Sequence, residues 1–197
     1  MNKLQDLMKE IKQLEGELLE EIQKKEEDFL YNIKGKKVVF EAETKRLHKE
    51  YVTKLHTYIL SASILNVLTA PFIWLCLIPA VILDAVVSLY QFVCFSVYGI
   101  PKVYRKDYIV VDRYNLAYLN FIEKINCMFC AYFNGVIAYV MEIAARTEQY
   151  WCPVKHARKL SKIHTRYHKF FEYGDAENYK NKLNKIRSDF SDIKNKN

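Results

Sequence analysis

The chain has 197 residues and a net charge of +7 at pH 7, and 51% of its residues are hydrophobic. This length excludes a large multidomain enzyme and suggests one or two small units. Residues 1–56 carry 12 basic and 12 acidic side chains, whereas residues 101–197 carry 18 basic and 10 acidic ones. An apolar segment lies between the two, so we attribute the basic half to an anionic lipid surface and not to nucleic acid.

Residues 1–56 are predicted to form amphipathic helices. The first is expected over residues 1–33, where apolar residues recur at alternating 3- and 4-residue steps, as in a coiled coil. These residues are Leu4, Leu7, Ile11, Leu14 and Leu18. So few heptads are marginal alone, so this face should pack on the protein itself or on another chain, in a homo- or hetero-oligomer. Gly35 predicts a break, and a second helix is expected from about Val38 into the membrane.

Residues 57–100 are predicted to form a membrane helical hairpin. The stretch contains no Lys or Arg, and Asp84 is its one acidic residue. Its length suits two spans of ~20 residues each. Proline breaks helical hydrogen bonding, and Pro71 and Pro79 favour spans over residues 57–75 and 79–99 with a reversal near 75–78. A re-entrant hairpin that enters one leaflet is the alternative.

The flanking charges predict the orientation of this hairpin. Basic residues both precede and follow the apolar stretch, and the predicted turn has none. Both termini should therefore be cytoplasmic. Asp84 is costly in hydrocarbon, and Asn66 on the facing span is a candidate hydrogen-bond partner.

Residues 101–174 are predicted to form a cytosolic helical domain, followed by a C-terminal amphipathic helix over residues 175–197. A helix is expected over residues 112–130, a turn at Asn134-Gly135 and a second helix over residues 135–151. Pro153 should begin a third, basic helix that ends at Gly174 and either rests on anionic lipid or packs on the domain. Asp175 should cap the last helix. The whole chain is thus predicted to be all-α.

Three cysteines and one histidine of this half suggest a metal site. Cys127 and Cys130 are one helical turn apart, and Cys152 is followed four residues later by His156. Three thiols and an imidazole suit tetrahedral Zn²⁺, with iron as an alternative. The turn at Asn134-Gly135 would bring the two pairs together. Ordinary packing of the four side chains and a thiol redox pair are the other interpretations.

Three acidic residues lie on the helices that carry the thiols. Glu123, Glu142 and Glu148 are either groups that orient His156 behind a metal or partners of nearby basic side chains. Ion pairing is the more common of these two roles for acidic residues near basic ones.

The segment from residue 60 to 175 resembles a family of uncharacterised small membrane proteins of proteobacteria. The resemblance is strongest in the motifs NCxxC (126–130), RTEQYWCP (146–153) and KHAR (155–158). It implies a bacterial inner-membrane protein that keeps Cys127, Cys130, Cys152 and His156. It implies no activity.

These observations predict an integral membrane protein with a metal-stabilised cytosolic helical module and a structural or interaction role. The alternative is a membrane-bound metalloenzyme or a thiol or metal redox protein. The coordination of the metal would discriminate between them, because a closed four-ligand site is structural and an open position is catalytic.

Overall fold

The computed structural model describes residues 3–28, 31–34, 37–40 and 42–194. This part of the chain is predominantly helical, as the sequence predicted, and it also contains one two-stranded hairpin. The chain divides into two compact units. The first contains Met1–Ser61 and Asp112–Met128, and the second contains Ala62–Val111 and Phe129–Asn197.

The first unit begins with a long helix and a β-hairpin. Its elements are α1 (Lys3–Asp28), β1 (Tyr31–Lys34), β2 (Lys37–Phe40), α2 (Ala42–Glu50) and α3 (Leu55–Ser61). The prediction of one helix over residues 1–33 is wrong at its end, and the helix expected from Val38 begins at Ala42. Val38 and Val39 instead pair with Ile33 and Asn32 across antiparallel strands, which β-branched residues favour. Gly35 lies outside the described residues.

The apolar face of α1 is open to solvent. Leu7, Ile11, Leu14 and Leu18 are each about half exposed or more, and so is Ile22 on the same helix. The described part of the first unit therefore leaves this face free. That another chain covers it stays a prediction.

The first unit also holds the start of helix α7 (Phe121–Trp151). The sequence predicted a helix from residue 112, but α7 begins nine residues later. Asn120 and Glu123 form a reciprocal cap: the Asn120 N–H donates to Glu123 Oε2 (2.9 Å), and the Glu123 N–H donates to Asn120 Oδ1 (3.0 Å). This arrangement satisfies two amides that the helix itself leaves unpaired, so it fixes the helix start.

The second unit opens with a continuous helical run, Ile64–Tyr98, which we call the apolar helix. It comprises α4 (Ile64–Leu75), α5 (Leu77–Tyr90), a π-helical turn (Gln91–Phe95) and α6 (Ser96–Tyr98). The predicted reversal near residues 75–78 is wrong. Cys76 has helical backbone angles, and its N–H donates to the Ile73 carbonyl (3.1 Å). Proline has a helical φ and removes one hydrogen bond at a time, so Pro71 and Pro79 fit without a turn.

Helix α7 likewise continues through the predicted turn at Asn134-Gly135. Gly135 serves a close contact instead: a Cβ there would lie 2.8 Å from the Tyr108 carbonyl oxygen and 2.9 Å from Ile109 Cα. Because Gly135 has no side chain, the backbone of Tyr108 and Ile109 can pack directly against α7. Of the described helices, α7 and the apolar helix are long and apolar enough to cross a membrane. The sequence assigned α7 to the cytosolic domain.

The basic segment after α7 is irregular, so the predicted helix that begins at Pro153 is wrong. Its two ends pair instead: the Phe171 N–H donates to the Pro153 carbonyl, and the Lys155 N–H donates to the Phe171 carbonyl (both 2.8 Å). Two short helices follow, α8 (Ala176–Ser188) and α9 (Ser191–Lys194). Gly174 has the expected positive φ of 88°, and the Asp175 carboxylate caps α8 through the Asn178 N–H.

The core of the second unit lies between the apolar helix, α7 and the chain that joins them. Its fully buried members come from all three and from the C-terminal end. They are Phe95, Ile100, Val103, Tyr139, Ile143 and Phe190. The unit is therefore built on one side of the apolar helix, which leaves the other side open.

Candidate membrane-binding face and predicted metal site

The open side of the apolar helix is a continuous apolar stripe. Six residues recur at 3- and 4-residue steps and are between 50% and 76% exposed: Ile78, Ile82, Val86, Leu89, Val93 and Val97. Helical periodicity places them on one face. Helix α4 has no buried residue at all. We call the six residues the exposed stripe. An apolar surface this long marks a binding surface for lipid or protein.

The opposite face of the apolar helix holds its one acid, Asp84. Arg105 binds both oxygens of this carboxylate, through Nε to Oδ1 and Oδ2 (3.1 Å each) and through Nη2 to Oδ2 (2.7 Å). The Tyr132 hydroxyl donates a further bond of 2.9 Å to Oδ2. Asp84 is buried, so these contacts compensate a charge that hydrocarbon or protein interior would penalise. Asn66, the expected partner, lies 18 residues earlier on the same helix, ~27 Å away.

Gln91 continues the same polar face two turns later. Its side-chain amide donates to the Val103 carbonyl (3.2 Å) and accepts from the Val103 N–H (2.9 Å), as a paired peptide group would. It also donates to the Tyr139 hydroxyl. Buried amides need such partners, and here they bind residues 99–111 to the apolar helix.

The structure does not bring the four predicted metal ligands together in one chain. Cys127 and Cys130 lie one turn apart on α7, whereas Cys152 and His156 follow the end of that helix. With a rise of ~1.5 Å per residue, Cys130 and Cys152 are ~33 Å apart. The described residues contain no cluster of three or more His, Cys, Asp and Glu side chains suited to a metal. Metal binding stays a prediction.

This separation adds a second chain to the metal prediction. If all four residues bind one Zn²⁺, residues from two chains must meet, so metal binding and dimer formation should occur together. Metal content and mass in solution should then both fall in Cys130→Ser and in Cys152→Ser, whereas Cys76→Ser should change neither. Elemental analysis and light scattering of purified protein measure the two quantities. A metal-free parent protein would return the four residues to ordinary packing.

A buried ion pair occupies the end of α7 instead. Arg146 donates to Glu142 (2.8 Å) and to the carbonyls of Pro101 (2.7 Å) and Lys102 (3.2 Å). The Thr165 hydroxyl donates to the other Glu142 oxygen (2.9 Å). Glu142 was expected either behind a metal or in an ion pair, and the second is confirmed. Glu123 caps a helix, and Glu148 lies 3.1 Å from His164.

A second buried arginine closes the C-terminal end. Arg166 donates to Gln149 (2.6 Å) and binds the carboxylate of Asp192 with two nitrogens. Gln149, fully buried, donates to the carbonyls of Ile186 and Asp189 (2.8 Å each). Burial alone would raise the pKa of Asp192, but the hydrogen bonds from Arg166 and Lys169 hold it well below its usual range. These hydrogen bonds join the end of α7 to the C-terminal helices, so this cluster holds the fold together.

Sequence reasoning singled out Asp84 but paired it with Asn66, and it missed the roles of Gln91, Arg105 and Arg166 in this unit. The signal for Asp84 and Gln91 was present, because Asp84, Ser88 and Gln91 recur at steps of four and three and so form a polar stripe on an apolar helix. No local sequence pattern identifies Arg105 as the partner of Asp84, and none identifies Arg166 as a buried charge. Both lie in irregular segments whose path depends on the tertiary fold.

Comparison of the chain with models of known protein families, with curated proteins and with solved structures gave no match. The function must therefore be argued from the exposed stripe, the polar contacts and the distribution of charge.

Proposed function

We propose that the protein is a membrane-anchored structural module of the bacterial inner membrane. The observation that carries this proposal is the exposed stripe of the apolar helix. The second unit covers the side that contains Asp84 and leaves the stripe open. The acyl chains of a lipid bilayer would bury this stripe.

The stripe supplies enough energy to hold the chain at a bilayer. Complete burial of one Val, Leu or Ile side chain is worth ~1.5–3 kcal/mol. The six side chains are between 50% and 76% exposed. Their removal from water would therefore contribute on the order of 5–11 kcal/mol, before α4 is counted. That gain is comparable to the whole stability of a small domain.

Basic side chains on the segment after the apolar helix favour an anionic lipid surface. Lys102, Arg105 and Lys106 are exposed on the segment that follows the apolar helix, and Lys102 Nζ lies 4.7 Å from the centre of the exposed Phe92 ring. Lysines reach phosphate groups in this way while their stems stay on apolar surface. Basic residues next to apolar segments favour the cytoplasmic side, so we propose that both termini are cytoplasmic.

The first unit would supply the interaction role. Helix α1 extends with its apolar face exposed, and Glu10, Glu15 and Glu17 flank this face. In a parallel pair of α1 helices, Glu10 and Glu15 would face each other and repel. A partner helix with basic flanking residues fits better than a second copy of α1.

A substitution on the stripe tests the anchoring role. In Leu89→Glu, a charge enters the centre of the exposed stripe, and we expect much of the protein to move from the membrane pellet to the supernatant after a carbonate wash. The buried core should stay intact, because Leu89 is 66% exposed. Circular dichroism would confirm unchanged helix content.

The matched control is Leu14→Glu, which puts the same charge on the exposed face of α1. It should leave the pelleted fraction unchanged and reduce chemical cross-links to a partner. Equal retention of the parent and Leu89→Glu would contradict the anchoring role. Equal cross-linking of the parent and Leu14→Glu would contradict the role of α1.

A further inference from the structure

The two helices that are apolar enough to cross a membrane run side by side in the same direction within the second unit. Residue numbers increase in both helices from one contact to the next. The Asp84 carboxylate binds the Tyr132 hydroxyl (2.9 Å), and the Ser88 hydroxyl lies 3.3 Å from the Tyr139 hydroxyl. At the far end the rings of Tyr98 and Tyr150 stack at 5.0 Å. Two consecutive spans of a membrane protein point in opposite directions when a loop on one side joins them, and these helices do not.

The chain that joins the helices therefore has to travel back along them. Residues 99–111, which we call the return segment, do this: Val103 pairs with Gln91, and Arg105 reaches back to Asp84. On the other flank, the carbonyl of Pro101 meets Arg146 and that of Tyr108 meets Gly135. The return segment is thus antiparallel to both helices and lies at the same level as they do.

The return segment cannot lie in hydrocarbon. Apart from one 3₁₀ turn at Arg105–Asp107 it is irregular. Lys102, Lys106 and Asp107 on it are exposed. Irregular backbone is tolerated at membrane depth only where protein or a water-filled cavity surrounds it. The side of the apolar helix that holds the return segment must therefore face water or lipid headgroups.

The exposed stripe lies on the other side. Its residues Ile82 and Val86 are each two positions from Asp84, so they point away from the bound Arg105. Helix α4 has no buried residue, and it continues directly into α5, so it extends along the same line as the exposed stripe. Ser63, with extended backbone angles, interrupts the helical path before α4.

We infer that the protein inserts into one leaflet and does not cross the bilayer. The stripe and α4 contact the acyl chains, and the basic residues of the return segment contact the lipid phosphates. The two ends of the described chain then lie on the same side of the membrane. This inference rests on the anchoring role proposed above.

Single cysteines test the inference in sealed membranes. The five native cysteines are changed to Ser, and one exposed position is changed per variant: Glu20→Cys on α1, Lys106→Cys on the return segment or Lys180→Cys on α8. A membrane-impermeant maleimide is then added to spheroplasts and to inverted vesicles. All three variants should be labelled only in inverted vesicles.

Two patterns would overturn the inference. Labelling of Lys106→Cys from the side opposite to the other two would show two spans, and opposite labelling of Glu20→Cys and Lys180→Cys would show one. Trypsin cleavage of the unmodified protein at Lys102 and Lys106 gives the same information if the cysteine-free chain does not fold. Release of the parent by carbonate would overturn the anchoring role itself, and with it this inference.

Discussion

Arg146→Met should lower the free energy of unfolding by ~3–5 kcal/mol, because it leaves the buried Glu142 carboxylate without its counter-ion. The side chains of Arg146 and Glu142 are only 7% and 10% exposed. The carbonyls of Pro101 and Lys102 would also lose their donor. Denaturant unfolding in detergent, followed by circular dichroism, measures the change.

An exposed ion pair provides the control. Lys24 and Glu21 on α1 are 71% and 65% exposed, so Lys24→Met should change the free energy of unfolding by only ~0–1 kcal/mol. A second variant separates the lost charge pair from lost packing: Glu142→Leu added to Arg146→Met removes the stranded carboxylate and should recover part of the loss. A single Arg146→Met variant as stable as the parent would show that the pair does not stabilise the fold.

Two glycine substitutions should change stability in opposite directions. In Gly135→Ala the new Cβ would lie 2.8 Å from the Tyr108 carbonyl oxygen and 2.9 Å from Ile109 Cα, so backbone has to move. Such overpacking costs ~1–3 kcal/mol. The gain in helix propensity, ~1 kcal/mol, offsets only part of that cost. We expect a net loss of stability, seen as a lower midpoint of thermal unfolding.

Gly16→Ala on α1 gains the same helix propensity without overpacking, because no neighbouring atom lies within 4 Å of the new Cβ. Its helix content and the thermal midpoint of the first unit should rise. Equal effects of Gly135→Ala and Gly16→Ala would show that the return segment does not press on α7 at this position.

The comparison of prediction and structure shows which features are local. The helical class, the N-terminal helix, the apolar stretch, the left-handed Gly174 and the Asp175 cap all depend on a few neighbouring residues, and the sequence predicted them. Sequence reasoning gave Pro79 and Gly135 the wrong roles. Proline and glycine occur in turns, but also inside helices where one lost bond is tolerated or where another chain approaches closely.

The separation of the four candidate metal ligands within one chain has the same origin. The predicted meeting of Cys127 and Cys130 with Cys152 and His156 required a turn at Gly135, and α7 continues through this residue. A correct assignment needed Tyr108 and Ile109, which are more than 25 residues away in sequence. The Asp175 cap involved Asn178 alone, three residues away, and could be predicted.

The Asp84–Arg105 pair can form only after the ribosome has added Arg105 to the chain. Arg105 follows Asp84 by 21 residues and Tyr132 follows it by 48. At ~5–20 residues per second, the ribosome takes ~1–4 s to add the arginine after the aspartate. Until the two residues pair, the most apolar part of the chain carries a carboxylate with no counter-ion, which costs ~2.5–3.5 kcal/mol at the centre of a bilayer. An unpaired Asp84 therefore opposes insertion of this helix into hydrocarbon until Arg105 binds it.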